Sequence, residues 1–359
     1  METDFVLNDQ ATGSVASQLL ASNFDPNVLR PFVGSDGRSY INRQTGVDSN
    51  GEPIVQALVT NAGATLRKDE WEAMDDVVVK AVRKRLKIVN WLRSSGLSTN
   101  LANGFGKTIL QYERQSDISA ARISMDGLTA GDSDRPVYDL VNLPLPLISK
   151  EITMSARQLA TSRNGNTPLD TSNLELAAIK VAEEAEKLHL GTYGTYTFGG
   201  ATLYGLINFP SRITGSAADP AGSGWVPNDT FNNVVSMVAA AYDKLRYGPF
   251  KLWYSTGFMQ AMMKPFSTSY DSTTLQRMIE QIPQISSVEI CDYLTGKQLL
   301  LVQEDSNTIR TVIGMDIQTV QWQERGGLLE KFRVMAMMVP QLKIDNTLNS
   351  NTGIVHYTA

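Results

Sequence analysis

The chain opens on a stretch with little periodicity. Residues 1 to about 65 are polar and carry glycine-bearing turns such as Gly34-Ser35-Asp36-Gly37 and Asp48-Ser49-Asn50-Gly51, so they read as an extended arm and not a packed domain. A helical pattern then begins. Between Lys68 and Arg93 the apolar residues Trp71, Met74, Val78, Val82, Leu86, Val89 and Leu92 recur at helical spacing. Acids (Asp69, Glu70, Glu72, Asp75, Asp76) crowd its start and bases (Lys80, Arg83, Lys84, Arg85, Lys87, Arg93) its end, as a helix dipole favours.

From Thr108 the pattern changes to alternation. Thr108–Glu113 predicts a strand, Met125–Asp132 a tip, and Val137–Ile152 a returning strand interrupted by Pro144 and Pro146. Proline suits only a strand edge. The pair therefore predicts a long two-stranded arm with free edges, which is marginal without a partner surface.

The strongest helix follows. Ser172-Asn173-Leu174-Glu175 reads as a capping box, Leu174, Ala177, Ala178, Val181, Ala185 and Leu188 line one face, and Gly191 ends it. Glu183, Glu184 and Glu186 are expected on a solvated face. The rest mixes helices (Asn228–Leu245, Thr256–Lys264, Thr273–Ile282) with strands (Phe250–Tyr254, Ser287–Cys291, Gln298–Gln303, Thr308–Ile313, Val320–Glu324, Leu328–Val339). The apolar run Val334–Pro340 reads as a buried strand, and the predicted class is α+β.

Composition narrows the function. A chain of 359 residues, 42% of them hydrophobic, can bury about 75% of its unfolded surface without a disulfide or metal staple. Only 19% of residues are charged, below the usual share of about 25%, which fits a surface partly covered by something else. The 32 Lys and Arg against 37 acids exclude a generally basic nucleic-acid binder. One cysteine, Cys291, allows no intrachain disulfide, and two distant histidines, His189 and His356, argue against a zinc site. The acidic start Met1-Glu2-Thr3-Asp4 lacks a signal-peptide core, and no apolar run reaches the ~18 residues of a membrane span. The expectation is a soluble protein of a reducing compartment.

The search for chemistry finds little. Gly104-Phe105-Gly106-Lys107-Thr108 resembles a phosphate loop, but Leu101 stands where that loop needs its first glycine. The cluster Gly191, Gly194, Gly199, Gly200, Gly205 lacks dinucleotide spacing. His189 has no nucleophile or orienting carboxylate in evident register, and Cys291 and the methionines Met262, Met263, Met335, Met337 and Met338 read as core or interface filling. The basic stripe Lys80, Arg83, Lys84, Lys87 reads as a solvated helix face, with contact to packaged nucleic acid or an acidic segment as the alternative. No catalytic, cofactor-binding or metal-binding residue is assigned, and a soluble enzyme with an unrecognised site stays as a third class.

The order of parts is itself informative. Leu66-Arg67-Lys68-Asp69-Glu70-Trp71, the run Leu143-Pro144-Leu145-Pro146-Leu147-Ile148-Ser149-Lys150-Glu151-Ile152 with Arg157, Gly165-Asn166-Thr167-Pro168-Leu169-Asp170 followed by Ala177-Ala178 and Glu183-Glu184, Gly205-Leu206-Ile207-Asn208-Phe209-Pro210, Gly314-Met315-Asp316 and Phe332-Arg333-Val334 come in that sequence. Over residues 66 to 359 this order resembles the shell proteins of tailed bacteriophages, and within them the encapsulin and linocin group. The resemblance implies the Hong Kong 97-like capsid fold. It implies an N-terminal arm (1–65), a charged helix and linker (66–106), an extended β-hairpin loop (107–154), and a peripheral domain (155–224) with a spine helix at 166–191. An axial domain (225–320) and return strands of the peripheral domain (321–359) complete it.

The implied function is that of a major capsid protein. It would self-assemble into pentamers and hexamers of an icosahedral head around double-stranded DNA, with only weak non-specific contact to it. A separate scaffolding protein, a portal and decoration proteins are the implied partners, with assembly in the host cytoplasm, residence in the virion and no membrane or cofactor. The alternative is an encapsulin-like nanocompartment enclosing an enzyme cargo; the N-terminal arm, longer than encapsulins usually have, favours the virus. Some relatives cross-link their shells through a lysine in the loop and a late asparagine. Lys107 and Asn346 are of those types, but with no catalytic carboxylate identified cross-linking is not expected.

Overall fold

The computed structural model describes residues 30–47, 53–59, 64–102, 104–115, 135–164, 171–266, 273–343 and 353–359, and singly 118, 121, 123 and 125. The tip residues 126–132, the spine approach 165–170, Asp48-Ser49-Asn50-Gly51 and Asn346 lie outside them. The first elements are three strands, β1 (Phe32–Val33), β2 (Ser39–Val47) and β3 (Pro53–Val59), in one antiparallel sheet. The segment expected as an extended arm thus carries a small sheet of its own. Gly34–Gly37 is the turn between β1 and β2, held by Asp36, which accepts from the Tyr40 hydroxyl and the Arg38 N–H. The β-branched residues of Pro53–Val59 then supply the outer strand.

Helix α1 (Lys68–Arg83) and helix α2 (Lys87–Ser94) replace the single helix expected over 68–93. The break follows from packing. Trp71, Met74, Val78 and Ala81 of α1 enter one core, whereas Ile88, Trp91 and Leu92 of α2 enter another, and one straight helix cannot face both. After β4 (Ser98–Asn100), the arm is built from β5 (Ile109–Gln115) and β6 (Tyr138–Pro144), in register from Ile109 opposite Pro144 to Gln115 opposite Tyr138. The expected strand 137–152 is two: past the prolines, β7 (Ile148–Ser155) leaves the arm and joins the main sheet.

Helix α3 (Ala156–Asn164) precedes the spine helix α4 (Ser172–Leu190). Its N-cap is Thr171, one residue ahead of the expected Ser172, and no side chain caps it. The hairpin β8 (Tyr196–Phe198) and β9 (Ala201–Leu203), strand β10 (Ile213–Ser216) and helix α5 (Pro227–Tyr242) follow. Then come β11 (Phe250–Tyr254), α6 (Met259–Met263), α7 (Leu275–Glu280), β12 (Ile285–Ile290) and β13 (Gln298–Gln303). The chain closes with β14 (Ile309–Glu324), one long strand where two were expected, β15 (Leu329–Leu342) and β16 (Ile354–Thr358).

Two sheets organise the body. The four-stranded sheet runs β4-β14-β15-β7, the five-stranded sheet β10-β16-β13-β11-β12. Side-chain alternation on β15 explains its unbroken apolar run. Val334, Ala336 and Met338 face α1 and α4, while Met335, Met337 and Val339 pack with Leu143 and Leu145 at the arm's root, so both faces are dry. Likewise Leu299 and Leu301 of β13 face α5, and Leu300 and Val302 face α2. The sheets also redraw one expected boundary. Residues 321–359 do not return together, because β14 crosses residue 320 without a break and β16 pairs with β13 and β10 in the five-stranded sheet.

The spine helix ends where the sequence placed its stop. Gly191 is left-handed (φ 95°) and its N–H reaches the Lys187 carbonyl. The Gly205–Pro210 turn then caps the end: Leu206 and Ile207 donate to the His189 and Leu190 carbonyls, and Asn208 Oδ1 accepts from the Gly205 N–H at 2.7 Å. A Cβ on Gly205 would lie 2.2 Å from the Gly191 nitrogen, so Gly205→Ala must push the turn off the helix. We expect it to cost several kcal/mol, of the order seen for overpacked sites, read as a fall in Tm; an unchanged Tm would show that the contact is not tight.

Candidate assembly interface

Among the described residues, the arm is a part of the chain that the body does not cover. Leu145 N–H donates to the Thr108 carbonyl at its root, and Leu110 and Tyr112 still touch the core under the four-stranded sheet. Further out the packing stops. Val137, Tyr138 and Leu140 are exposed, Ile118 is more than half exposed, and Ile123 is 97% and Met125 fully exposed. Among the described residues the two strands form a sheet of their own, so neither outer edge has a strand partner there. A cross-strand ion pair, Arg114 Nη2 to Asp139 Oδ2 at 2.6 Å, fixes the register near the last paired residues. Strand β3 is the outer strand of its sheet among the described residues, with Ile54, Val55 and Val59 exposed on both its faces.

Behind the arm the spine helix is anchored by an interaction that its pattern did not reveal. Glu186, expected on a solvated face, is fully buried. Its Oε1 accepts the Ile88 N–H at 2.6 Å and its Oε2 the Val89 N–H at 3.5 Å, so a carboxylate of one helix caps the start of α2, which has no side-chain cap of its own. The signal was present in the spacing, since Glu186 lies four residues from Ala182 and from Leu190, both buried. Arg85 beside Glu183 and Lys87 beside Asp292, at 3.0 Å, tie the same elbow to the spine and to the five-stranded sheet.

Burial pushes the Glu186 carboxyl up to about 7, against the pull of the backbone N–H groups of Ile88, Val89 and Lys87. The folded chain therefore holds this proton more tightly than the unfolded one does. The stabilisation is present in full below about pH 4.5 and is lost as pH rises through about 7, a swing of about 3 kcal/mol. His189 and His356 slope the other way below about pH 6.5, since burial lowers both to about 4. Comparing wild type with Glu186→Gln cancels those terms. The Tm difference should move in favour of the variant between pH 5 and pH 8; a pH-independent difference would show that Glu186 does not titrate in this range.

The remaining candidates for chemistry are structural. Gly104-Phe105-Gly106 is a short 3-10 turn packed against Gly314, with room for no side chain: a Cβ on Gly104 would meet the Gly314 carbonyl at 2.1 Å. His189 is buried, Nδ1–H donating to the Ala185 carbonyl at 2.7 Å and Nε2 accepting from Thr311 at 2.9 Å. His356 accepts from Arg212 and donates to Gln298 Oε1. Burial pushes the Cys291 thiol up to about 12, which leaves no thiolate for catalysis. Lys80 pairs with Asp76 and Lys87 with Asp292, while Arg83 and Lys84 are exposed, so the basic stripe is divided between helix-face pairs and solvent. Lys107 is exposed at the root of the arm. Among the described residues no three His, Cys, Asp or Glu side chains could hold a metal ion, and no helix is long and apolar enough to cross a membrane.

The fold has known counterparts. The capsid of Myoviridae phage XM1 matches with a TM-score of 0.58 and 13% identity, covering 74% of this chain and 90% of that one. The virus-like particle of Pyrococcus furiosus matches with a TM-score of 0.53 and 12% identity, covering 80% and 98%. In sequence, the type 1 encapsulin shell protein EncA of Myxococcus xanthus (strain DK1622) is 22% identical over 281 residues, 77% of this chain and 90% of that protein. The α+β body, spine helix and arm are thus the Hong Kong 97-like shell fold shared by phage capsids and encapsulins. Residues 61–357 match the family of unknown function DUF6260, and the chain belongs to that family.

Proposed function

We propose that this chain is the shell subunit of an icosahedral container, and that the container is the head of a tailed bacteriophage around double-stranded DNA. The observation that carries the first statement is the arm: apolar side chains and strand edges that none of the described residues of its own body covers, on a fold shared with shell proteins. A monomer with such edges invites uncontrolled pairing. A closed lattice of pentamers and hexamers buries them against neighbouring copies, with residues 107–147 as the loop that crosses between subunits, since the last part of the expected 107–154 loop is bound into the four-stranded sheet as β7. The division into a peripheral part around the spine and an axial part around the five-stranded sheet belongs to the same reading. No catalytic role is assigned.

The net charge of −5 supports the second statement, because a wall that releases its genome must bind phosphate weakly. The long N-terminal segment ahead of residue 66, with its own sheet, adds contacts of the kind a large head needs. A scaffolding protein, a portal and decoration proteins would complete such a head, which would assemble in the host cytoplasm. The similarity to EncA over 90% of that protein favours the other reading, a compartment around an enzyme cargo. Particles purified from cells that carry the gene discriminate them. Nuclease-protected double-stranded DNA with a minor ring-forming protein is the expected content; DNA-free particles filled with one abundant enzyme would overturn the phage reading and leave the compartment.

A further inference from the structure

Two cores of the body meet at the elbow between α1 and α2. Helix α1 sends Trp71, Met74, Val78 and Ala81 into the core under the spine, and α2 sends Ile88, Trp91 and Leu92 into the core behind the five-stranded sheet. One buried carboxyl spans the joint. Glu186 of the spine is fully buried and accepts the Ile88 N–H at 2.6 Å, and no side chain at the start of α2 takes that role.

The charged groups around that carboxyl are engaged with one another. From the elbow, Arg85 lies 3.9 Å from Glu183, and Lys87 binds Asp292 at 3.0 Å. Further along α2, Arg93 holds Asp316. On the spine, Glu183 also pairs with Lys180 and Glu184 with Lys187, while His189 is bonded to the Ala185 carbonyl and to Thr311 of the four-stranded sheet. The loop after β12 adds the Cys291 thiol and the Tyr293 phenol, both pushed up to about 12 by burial and so uncharged. Among the described residues Glu186 therefore has backbone donors and no paired cation. The Tyr293 hydroxyl oxygen is also buried and has no hydrogen-bond partner there, so the closed joint leaves a donor unused.

Such a site treats the two forms of the carboxyl differently. With its proton, Glu186 lies between the spine and α2 as a neutral group. Without it, the carboxylate is a buried charge that gains by reaching water. Water is close, since the side chains of Arg85, Lys87 and Asp292 on the rim are 45%, 32% and 45% exposed.

We propose that Glu186 is a proton-operated latch on this elbow: protonated, it holds the first turn of α2 on the spine, and ionised, it lets that turn lift and the joint between the two cores loosen. In the closed elbow burial keeps the proton on up to about pH 7, against about 4.5 once the carboxyl meets water. Opening therefore releases a proton between those limits, and each pH unit of rise within them favours the open form about tenfold. His189 keeps its bonds to the spine and the sheet in both forms and does not enter this balance. The latch belongs to the folded chain, whether or not copies assemble.

Amide hydrogen exchange read by mass spectrometry on the purified chain tests this, at pH 5 and pH 8 and corrected for the intrinsic rate at each pH. Residues 86–92 should be less protected than the spine segment 174–182, and their protection should fall about tenfold or more between the two pH values. Glu186→Gln, which has no proton to release, should show no such fall. Constant protection of 86–92 in the wild type, or the same fall in Glu186→Gln, would overturn the proposal. So would protection of 86–92 equal to that of the spine at both pH values, because the elbow would then open only with the whole chain. The wild-type comparisons need no variant, so they decide the matter even if Glu186→Gln does not fold. Exchange is read from the chain in whatever assembly it takes, so this result is separate from the presence or absence of shells.

Discussion

A chain lacking residues 120–135 is expected to fold normally and to form no shells. Of the segment's described residues, Ala121, Ile123, Met125 and Arg135, none belongs to a hydrophobic cluster and all four are exposed, so the account expects its removal to spare the cores. The paired part of the arm survives, because Gln115 and Tyr138 would be joined by a loop of about six residues, a length hairpins tolerate. Tm should therefore stay within a few degrees of wild type. Assembly should be lost outright, since the deletion removes the exposed Ile123 and Met125 and the reach to a neighbour. Sedimentation or electron microscopy reads the result. Normal particles from the deleted chain would end the role given to the arm.

The second large effect is on folding. Leu174 and Val181, 2% and 1% exposed, sit in the stripe that α4 lays against α1 and the four-stranded sheet. A carboxylate at either place has no partner in that cluster and either ionises in an apolar site or folds with its proton on. The cost should be about 4 kcal/mol or more, roughly 10 °C in Tm for a chain of this size. Leu176→Asp, on the exposed side of the same helix, is the control and should change Tm little. Equal Tm values for Leu174→Asp and Leu176→Asp would mean that the stripe is not buried.

What could be read from the sequence was what repeats locally. The spine's alanine and leucine spacing, the stop at Gly191 and the buried run of β15 each follow from a period or a single residue type, and each is found in place. The break between α1 and α2 has no such mark. The residues Lys84, Arg85 and Leu86 are unremarkable helix formers, and the turn is imposed by two cores on different sides and by Glu186, about a hundred residues away in sequence. The destination of β16 was hidden for the same reason: Ile354–Thr358 alternates like any strand, and only pairing with β13 and β10 places it. The cavity of about 450 Å³ at the arm's root is lined by residues of β5, β6, the β9 region and β15, a juxtaposition no local pattern encodes.

The central claim is that copies of this chain close into a shell through parts that a monomer leaves bare. Negative-stain electron microscopy of the purified chain, with its mass from light scattering, tests that claim most directly, run alone and with a co-expressed scaffolding protein. Closed particles tens of nanometres across, with a mass of many tens of subunits, are the predicted result. A uniform monomer or small oligomer under both conditions would contradict it.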